Sequence, residues 1–343
     1  MKKNKKFVNR WESNAFESHE VAKKIYLDVK KNLKYSPHPI SGWRSNPDQK
    51  LETIQTNQNG LRSQDLETID KNLECCMLLG GSVAWGFGAS CNDNIISYQI
   101  EKILMEKYKK KINIIYFAEQ MHSSHEELMT FVGYLDEIKP KTVICFSGTN
   151  DINRGYKNAF KFTDLNTTWI NFFNKGNSIG IVNEKNIIKF ITKTVLRFFR
   201  KFKKIENKNL IFNKPEKNEI PIYLFQNKVE IMNSICRSKK ISLLHVLQPD
   251  LVLKKNKKLS EIDYYEFLDK SRIEYVNKHT LILKEYLKSC EINEKSDYIK
   301  YLDLTEIFDE THDVVYIDKA HVNNKGYKIL SERISNELQK QFF

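Results

Sequence analysis

Short apolar runs recur along this chain, each closed by a turn signal and most of them followed by an apolar pattern of helical period. The runs are Cys76-Met77-Leu78-Leu79, residues 112–117, Thr142-Val143-Ile144-Cys145-Phe146, residues 242–247 and residues 299–304. A continuous apolar run of this length reads as a strand buried on both faces, and strands alternating with amphipathic helices predict a parallel sheet covered on both sides. Residues 92–110 carry Ile96, Ile100, Ile103 and Leu104 on one helical face, after a capping Asn or Asp. Ser123 and Ser124, followed by Glu126 and Glu127, form a capping box. Leu128, Phe131, Val132, Leu135 and Ile138 then supply the expected buried stripe. Residues 264–290 read as a long helical region carrying many charges, and residues 326–338 as a closing helix buried through Ile329, Leu330, Ile334 and Leu338.

Two stretches stand outside this alternation. In the lead segment, residues 1–72, Val21, Ile25, Tyr26 and Val29 have helical spacing and Ser36-Pro37-His38-Pro39 ends the helix. Gly42-Trp43-Arg44 then opens an extended stretch, residues 51–56 read as a strand, and Asn59-Gly60 is a turn signal. The core is expected over 73–343, with an insertion at about 155–220. Within the insertion, residues 185–204 place Ile188, Ile191, Val195, Phe198, Phe199 and Phe202 at spacings of three and four, among eight lysines and arginines. Such a helix packs its aromatic stripe on the protein's own core, the favoured reading, or lies on an anionic membrane surface or a partner. The insertion can also cover the site.

Composition narrows the classes. The chain has 343 residues, a formal net charge of +13 and six cysteines. No stretch approaches the roughly 20 apolar residues of a membrane span. The basic start, Met1 to Lys6, is not followed by an apolar run, which argues against a signal peptide and makes a cytoplasmic location the default expectation. Cys75, Cys76, Cys91, Cys145, Cys236 and Cys290 show no C-x-x-C spacing, so reduced structural thiols are expected and no metal. The positive charge is mostly lysine dispersed among acidic residues and asparagines, without a zinc-finger, RNP or helix-turn-helix pattern, which argues against nucleic acid. An acidic sugar polymer, a nucleotide-linked sugar or an anionic lipid surface suits it better.

The chemistry concentrates in three blocks. Residues 80–90, GGSVAWGFGAS, follow the first core strand; residues 147–151, SGTND, follow the third; residues 318–321, DKAH, precede the last helix. In open α/β sheets ligands bind beyond the carboxyl ends of the strands. Taken singly, the blocks are a strand-to-helix turn, an Asx-type turn and a surface or capping histidine. Their order and placement change that reading, and together they resemble the SGNH (GDSL-type) hydrolase superfamily. The run of Tyr35, Gly42-Trp43-Arg44, Thr56-Asn57 and Gly60-Leu61-Arg62 is similar to the lead of a bacterial subset of that superfamily.

The resemblance implies a three-layer α/β/α, flavodoxin-like fold and a role for each block. Ser82 is the implied nucleophile, with Gly86 and Gly88 completing the first block. His321 is the implied base that activates the hydroxyl, and Asp318 the carboxylate that fixes its tautomer. The Ser82 N–H and the Asn150 amide are the implied oxyanion donors, one such donor being worth roughly 3–4 kcal/mol in the transition state. Gly81 and Gly148 belong to the same blocks and are expected against substrate. Arg44 and Arg62 can approach an anionic substrate, though a bracing role is favoured. One block departs: residues 118–124, AEQMHSS, lack the glycine that usually supplies a third donor, leaving a backbone N–H near Met121 for that place. His122 and His125 are expected to cap or pack, and His245 to lie in the core. The implied activity is hydrolysis of a short acyl ester on a carbohydrate, without metal or organic cofactor. Transfer of the acyl group to a sugar hydroxyl and a non-catalytic binding or membrane-peripheral role are the alternatives.

Overall fold

All five apolar runs pair into one parallel sheet. In a computed structural model, which describes residues 15–156 and 219–343, the lead contributes α1 (His19–Leu27) and a two-stranded antiparallel hairpin, β1 (Tyr35–His38) and β2 (Gly42–Ser45). The core then runs β3 (Cys75–Gly80), α2 (Ser82–Trp85), α3 (Ile96–Tyr108), β4 (Asn113–Tyr116), α4 (Ser124–Ile138), β5 (Thr142–Ser147) and α5 (Thr149–Tyr156). After the undescribed segment come α6 (Ile220–Lys239), β6 (Ser242–Leu247), α7 (Leu259–Phe267), α8 (Lys270–Asn293), β7 (Ile299–Asp303) and α9 (Asn324–Phe342). The expected helix at 185–204, and nearly all of the insertion that holds it, lie outside the described residues.

The sheet order is β4-β3-β5-β6-β7. Numbered within the core alone this is 2-1-3-4-5, the flavodoxin-like order, whose ligand crevice opens where the strand order reverses. That point lies between the carboxyl ends of β3 and β5. Alternating side chains feed two cores, as the period of two requires. Cys76, Leu78, Ile144 and Phe146 join the face covered by α3 and α9, while Met77, Leu79, Val143 and Cys145 join the face covered by α4, α6 and α8. Leu33, Tyr35, Trp43 and Ile54 of the lead belong to the first of these cores, so the lead is packed into the sheet's own apolar interior. Among the described residues no helix is long and apolar enough to cross a membrane.

Several expectations change for identifiable reasons. Residues 51–56 form no strand; the segment folds on itself through a Lys50–Gln55 bridge, and the Asp28 carboxylate holds the Thr53 N–H (2.7 Å) and hydroxyl (2.8 Å). Helix α3 begins at Ile96 rather than near Asn92, because the Asn92 side chain donates to the Gln55 carbonyl (2.9 Å) and accepts from Arg62 (2.9 Å). The helical region of 264–290 is divided between two helices, parted where Leu268 turns extended. In α4 the capping box on Ser123 and Glu126 is present, but Val132 is half exposed. The helix instead buries Glu127 and Thr130, because Lys228 of α6 reaches Glu127 at 3.2 Å.

Candidate active site

Ser82 opens α2 directly after β3. Gly81 caps that helix with extended backbone, and Gly86 ends it in the left-handed region at φ 91°, where a side chain is disfavoured. The turn leaves Ser82 partly exposed in a stretch that is otherwise buried from Cys76 to Ala89. Two similar exceptions face the same edge: Asn150, after the buried β5, and His321.

The Ser82 hydroxyl lies 2.7 Å from His321 Nε2 across 239 residues of sequence. On the other side of the ring, Nδ1 lies 2.8 Å and 2.9 Å from the Asp318 carboxylate oxygens. A carboxylate only accepts, so Nδ1 carries the proton and Nε2 is left to accept from the serine. Asp318 is itself held: its Oδ1 accepts from the backbone N–H groups of Ala320 (3.0 Å) and His321 (2.9 Å). The imidazole stacks on Phe87, with ring centroids 4.1 Å apart, which restricts its tilt.

Long-range contacts deliver this loop to the serine. The Val315 and Tyr316 N–H groups donate to Glu261, itself buried and paired with Lys254 at 2.7 Å. The Tyr327 hydroxyl, from α9, donates to the Phe87 carbonyl at 2.9 Å and so ties the terminal helix to the end of the serine turn.

Asn150 projects from the start of α5. One hydrogen of its amide goes to the His122 carbonyl at 2.7 Å, and the second, beside Gly81, has no acceptor among the described residues. The approach is so close that a Cβ on Gly81 would stand 2.3 Å from Asn150 Nδ2 and 2.9 Å from the His122 oxygen. Gly81 therefore belongs to the site as clearance for a neighbour. The next residue, Asp151, points inward and accepts from the Ser124 N–H at 3.2 Å and from its hydroxyl.

The loop without a glycine still adopts the glycine conformation. Met121 has φ 65°, a region that ordinary side chains visit seldom and at a cost. Arg154 holds it there, donating to the Met121 carbonyl at 2.8 Å while pairing with Glu126 at 3.0 Å. No acceptor for the Met121 N–H is found among the described residues, and its side chain is 45% exposed. His122 is buried against Trp43, and burial holds its pKa down to about 4, so the ring is neutral and contributes here through its carbonyl. His125 is exposed, and His245 is buried with Nε2 on Asn233 Oδ1 at 2.9 Å.

The remaining sequence candidates are engaged by the protein itself. Arg62 is fully buried, donating to the carbonyls of Thr53 (3.0 Å), Trp85 (3.3 Å) and Gly86 (3.2 Å), with its guanidinium over the Trp85 ring. It braces the helix that carries Ser82 and is not available to substrate. Arg44 is buried on the hairpin, bonded to the Tyr134 hydroxyl at 3.1 Å and set over the Phe117 ring. Gly148, at φ 112°, faces Leu247 in the interior rather than the crevice. Among the described residues no group of three His, Cys, Asp or Glu side chains is placed to hold a metal ion. Glu119, Trp43, Arg154, Glu261 and Tyr327 were not legible as site supports, because each acts through a backbone group distant in sequence.

No family model and no curated protein matches this chain. Similar solved structures include a lipase from a goat rumen metagenome (14% identity, TM-score 0.44, covering 77% of this chain and 96% of that one). A lipolytic protein of the G-D-S-L family from Desulfitobacterium hafniense gives 12% identity and TM-score 0.42, covering 76% and 98%. An acetylxylan esterase from Geobacillus stearothermophilus gives 11% identity and TM-score 0.42, covering 79% and 94%.

Proposed function

We propose that this chain is a serine ester hydrolase in which Ser82, His321 and Asp318 form the catalytic triad. The observation that carries the reading is the unbroken relay from the Ser82 hydroxyl to His321 Nε2 at 2.7 Å, and from Nδ1 to Asp318 at 2.8 Å, at the open edge of the sheet. His321 takes the Ser82 proton as Oγ attacks the ester carbonyl, and Asp318 stabilises the imidazolium that forms. The carbonyl oxygen, now negative, is met by the Ser82 N–H, the free hydrogen of the Asn150 amide and the Met121 N–H. Donors held before the reaction cost no reorganisation as charge develops. His321 then returns the proton to the leaving alcohol. A water, deprotonated by the same histidine, releases the acid from the acyl-enzyme and restores Ser82.

For the ester we propose a short acyl group, acetyl in the first instance, on a carbohydrate alcohol. This choice rests on the resemblance of the three sequence blocks. The test is hydrolysis of p-nitrophenyl esters of rising acyl length by wild type and Ser82→Ala. Turnover that falls with chain length and vanishes in the variant is expected. Equal rates in the two proteins would refute the triad. A stoichiometric acyl-enzyme on Ser82 that passes its acyl group to a sugar hydroxyl faster than to water would make the protein a transferase.

A further inference from the structure

The β1–β2 hairpin lies outside the three catalytic blocks, yet its contacts converge on the loop that carries Met121. The Glu119 side chain is buried at the centre of that junction. Its Oε2 accepts from the Ser45 N–H at 2.7 Å and the Ser45 hydroxyl at 2.8 Å, both at the end of β2. Its Oε1 accepts from the Gln120 N–H at 2.8 Å, inside the loop itself. Two residues earlier on β2, the Trp43 indole N–H donates to the Gln120 carbonyl at 2.8 Å, and its ring meets His122 edge-on. Both peptide groups of Gln120 are thus fixed by one carboxylate and one indole. The following residue is Met121 at φ 65°, and the one after it carries the carbonyl that orients Asn150. On the far side Arg154 grips the Met121 carbonyl.

We propose that Glu119 is a positioning residue for the oxyanion loop and that, through it and Trp43, the lead hairpin is a working part of the active site. The proposal rests on the serine hydrolase reading, since the donor being positioned is the Met121 N–H. The physical need is specific. A glycine would hold the left-handed turn at little cost, whereas methionine there must be held by its surroundings. The carboxylate is suited to this because it accepts three bonds at once; its neutral form turns one oxygen into a donor, so at least one of the three is weakened or reversed.

The charge state of Glu119 is correspondingly sensitive. The groups facing it are Arg44 from β2 and Arg62 from the end of the lead, which favour the carboxylate, and the phenols of Tyr35 on β1 and Tyr116 on β4. Both phenols have pKa values raised well above 10 by burial and stay neutral. Burial outweighs the hydrogen bonds from Gln120 and Ser45 and the charge of Arg44, and lifts Glu119 to about 7. Below that pH the side chain becomes the neutral analogue of glutamine, and above it the loop is clamped.

The experiment compares wild type with Glu119→Gln on p-nitrophenyl acetate between pH 5.5 and 8.5, alongside amide hydrogen exchange over residues 117–123. The expected ratio of wild-type to variant kcat is near one at low pH and rises through neutrality to between about tenfold and a hundredfold, the range for misplacing a catalytic group by up to 1 Å. KM should change little. Titrations common to both proteins cancel in the ratio. Faster exchange of the loop amides in the variant at pH 8 is expected even in the absence of turnover. Trp43→Phe, which keeps an aromatic ring but removes the indole N–H, should lower kcat in the same direction and serves if Glu119→Gln does not fold. A ratio independent of pH together with unchanged exchange would overturn the role of Glu119. Loss of wild-type turnover with exchange still altered would overturn the hydrolase reading and leave the loop clamp standing.

Discussion

Gly81→Ala is a one-carbon test of the proposed oxyanion geometry. The backbone at Gly81, φ −90° and ψ −155°, is extended and open to alanine, so the substitution introduces no dihedral strain. The new methyl would stand 2.3 Å from Asn150 Nδ2. Relief requires the amide to retreat by about 1 Å, against an ordinary carbon–nitrogen contact near 3.4 Å. That retreat breaks its 2.7 Å bond to the His122 carbonyl and removes its second hydrogen from the crevice. Losing one oxyanion donor lowers kcat by roughly 10²–10³, equivalent to about 3–4 kcal/mol. The methyl also lies 2.9 Å from the His122 oxygen, so overpacking should destabilise the fold by about 1–3 kcal/mol. The assay is kcat on p-nitrophenyl acetate, with urea unfolding as a parallel measure of stability. Because Gly81→Ala and Asn150→Ala remove the same donor, the double variant should be scarcely slower than the slower single. A Gly81→Ala enzyme within about threefold of wild type, or losses that multiply in the double variant, would refute this account of the site.

Further consequences follow from other contacts. Asp318→Asn keeps an oxygen for the two backbone N–H groups but lets the ring choose the wrong tautomer, and should cut kcat by about 10³–10⁴ with little change in unfolding midpoint. Arg62→Met removes a donor from the Thr53, Trp85 and Gly86 carbonyls and from Asn92, and should cost about 3–5 kcal/mol in urea unfolding. Glu101 accepts the Ile114 N–H at 2.6 Å, and burial raises its pKa from 4.5 to about 7. A raised carboxyl stabilises the fold below its unfolded pKa, and this contribution is lost as pH climbs through the folded value. Glu101→Gln should therefore flatten the fall in stability between pH 5 and 8 and gain about 1–2 kcal/mol at pH 8, after allowance for its partial exposure. A variant that steepens that fall would reverse the sign of the argument.

Much of this was legible in the sequence, and particular residues show why. Continuous runs such as Val143 to Phe146 can be satisfied only by burial on both faces, so the five strands and their parallel pairing follow from local pattern. The capping box on Ser123 and Glu126 is equally local, since its bonds span three residues. Val132 shows the limit. Hydrophobic spacing assigns it to the core, but the helix is rotated to bury Glu127 and Thr130, because a lysine about a hundred residues away neutralises the carboxylate. The break at Leu268 carries no glycine or proline to mark it.

The blocks around Ser82, Asn150 and Asp318–His321 are written in the sequence, because turn and strand-end chemistry depends on immediate neighbours. Their meeting is not. That Ser82 touches His321 depends on β3 lying beside β5 at the reversal of strand order, on Glu261 holding Val315 and Tyr316, and on Tyr327 reaching Phe87. That a methionine can stand where a glycine is expected depends on Arg154 and on the hairpin that brings Trp43 and Ser45 to Glu119. Each of these bonds joins segments far apart in the chain, so their geometry exists only once the core has closed around the sheet.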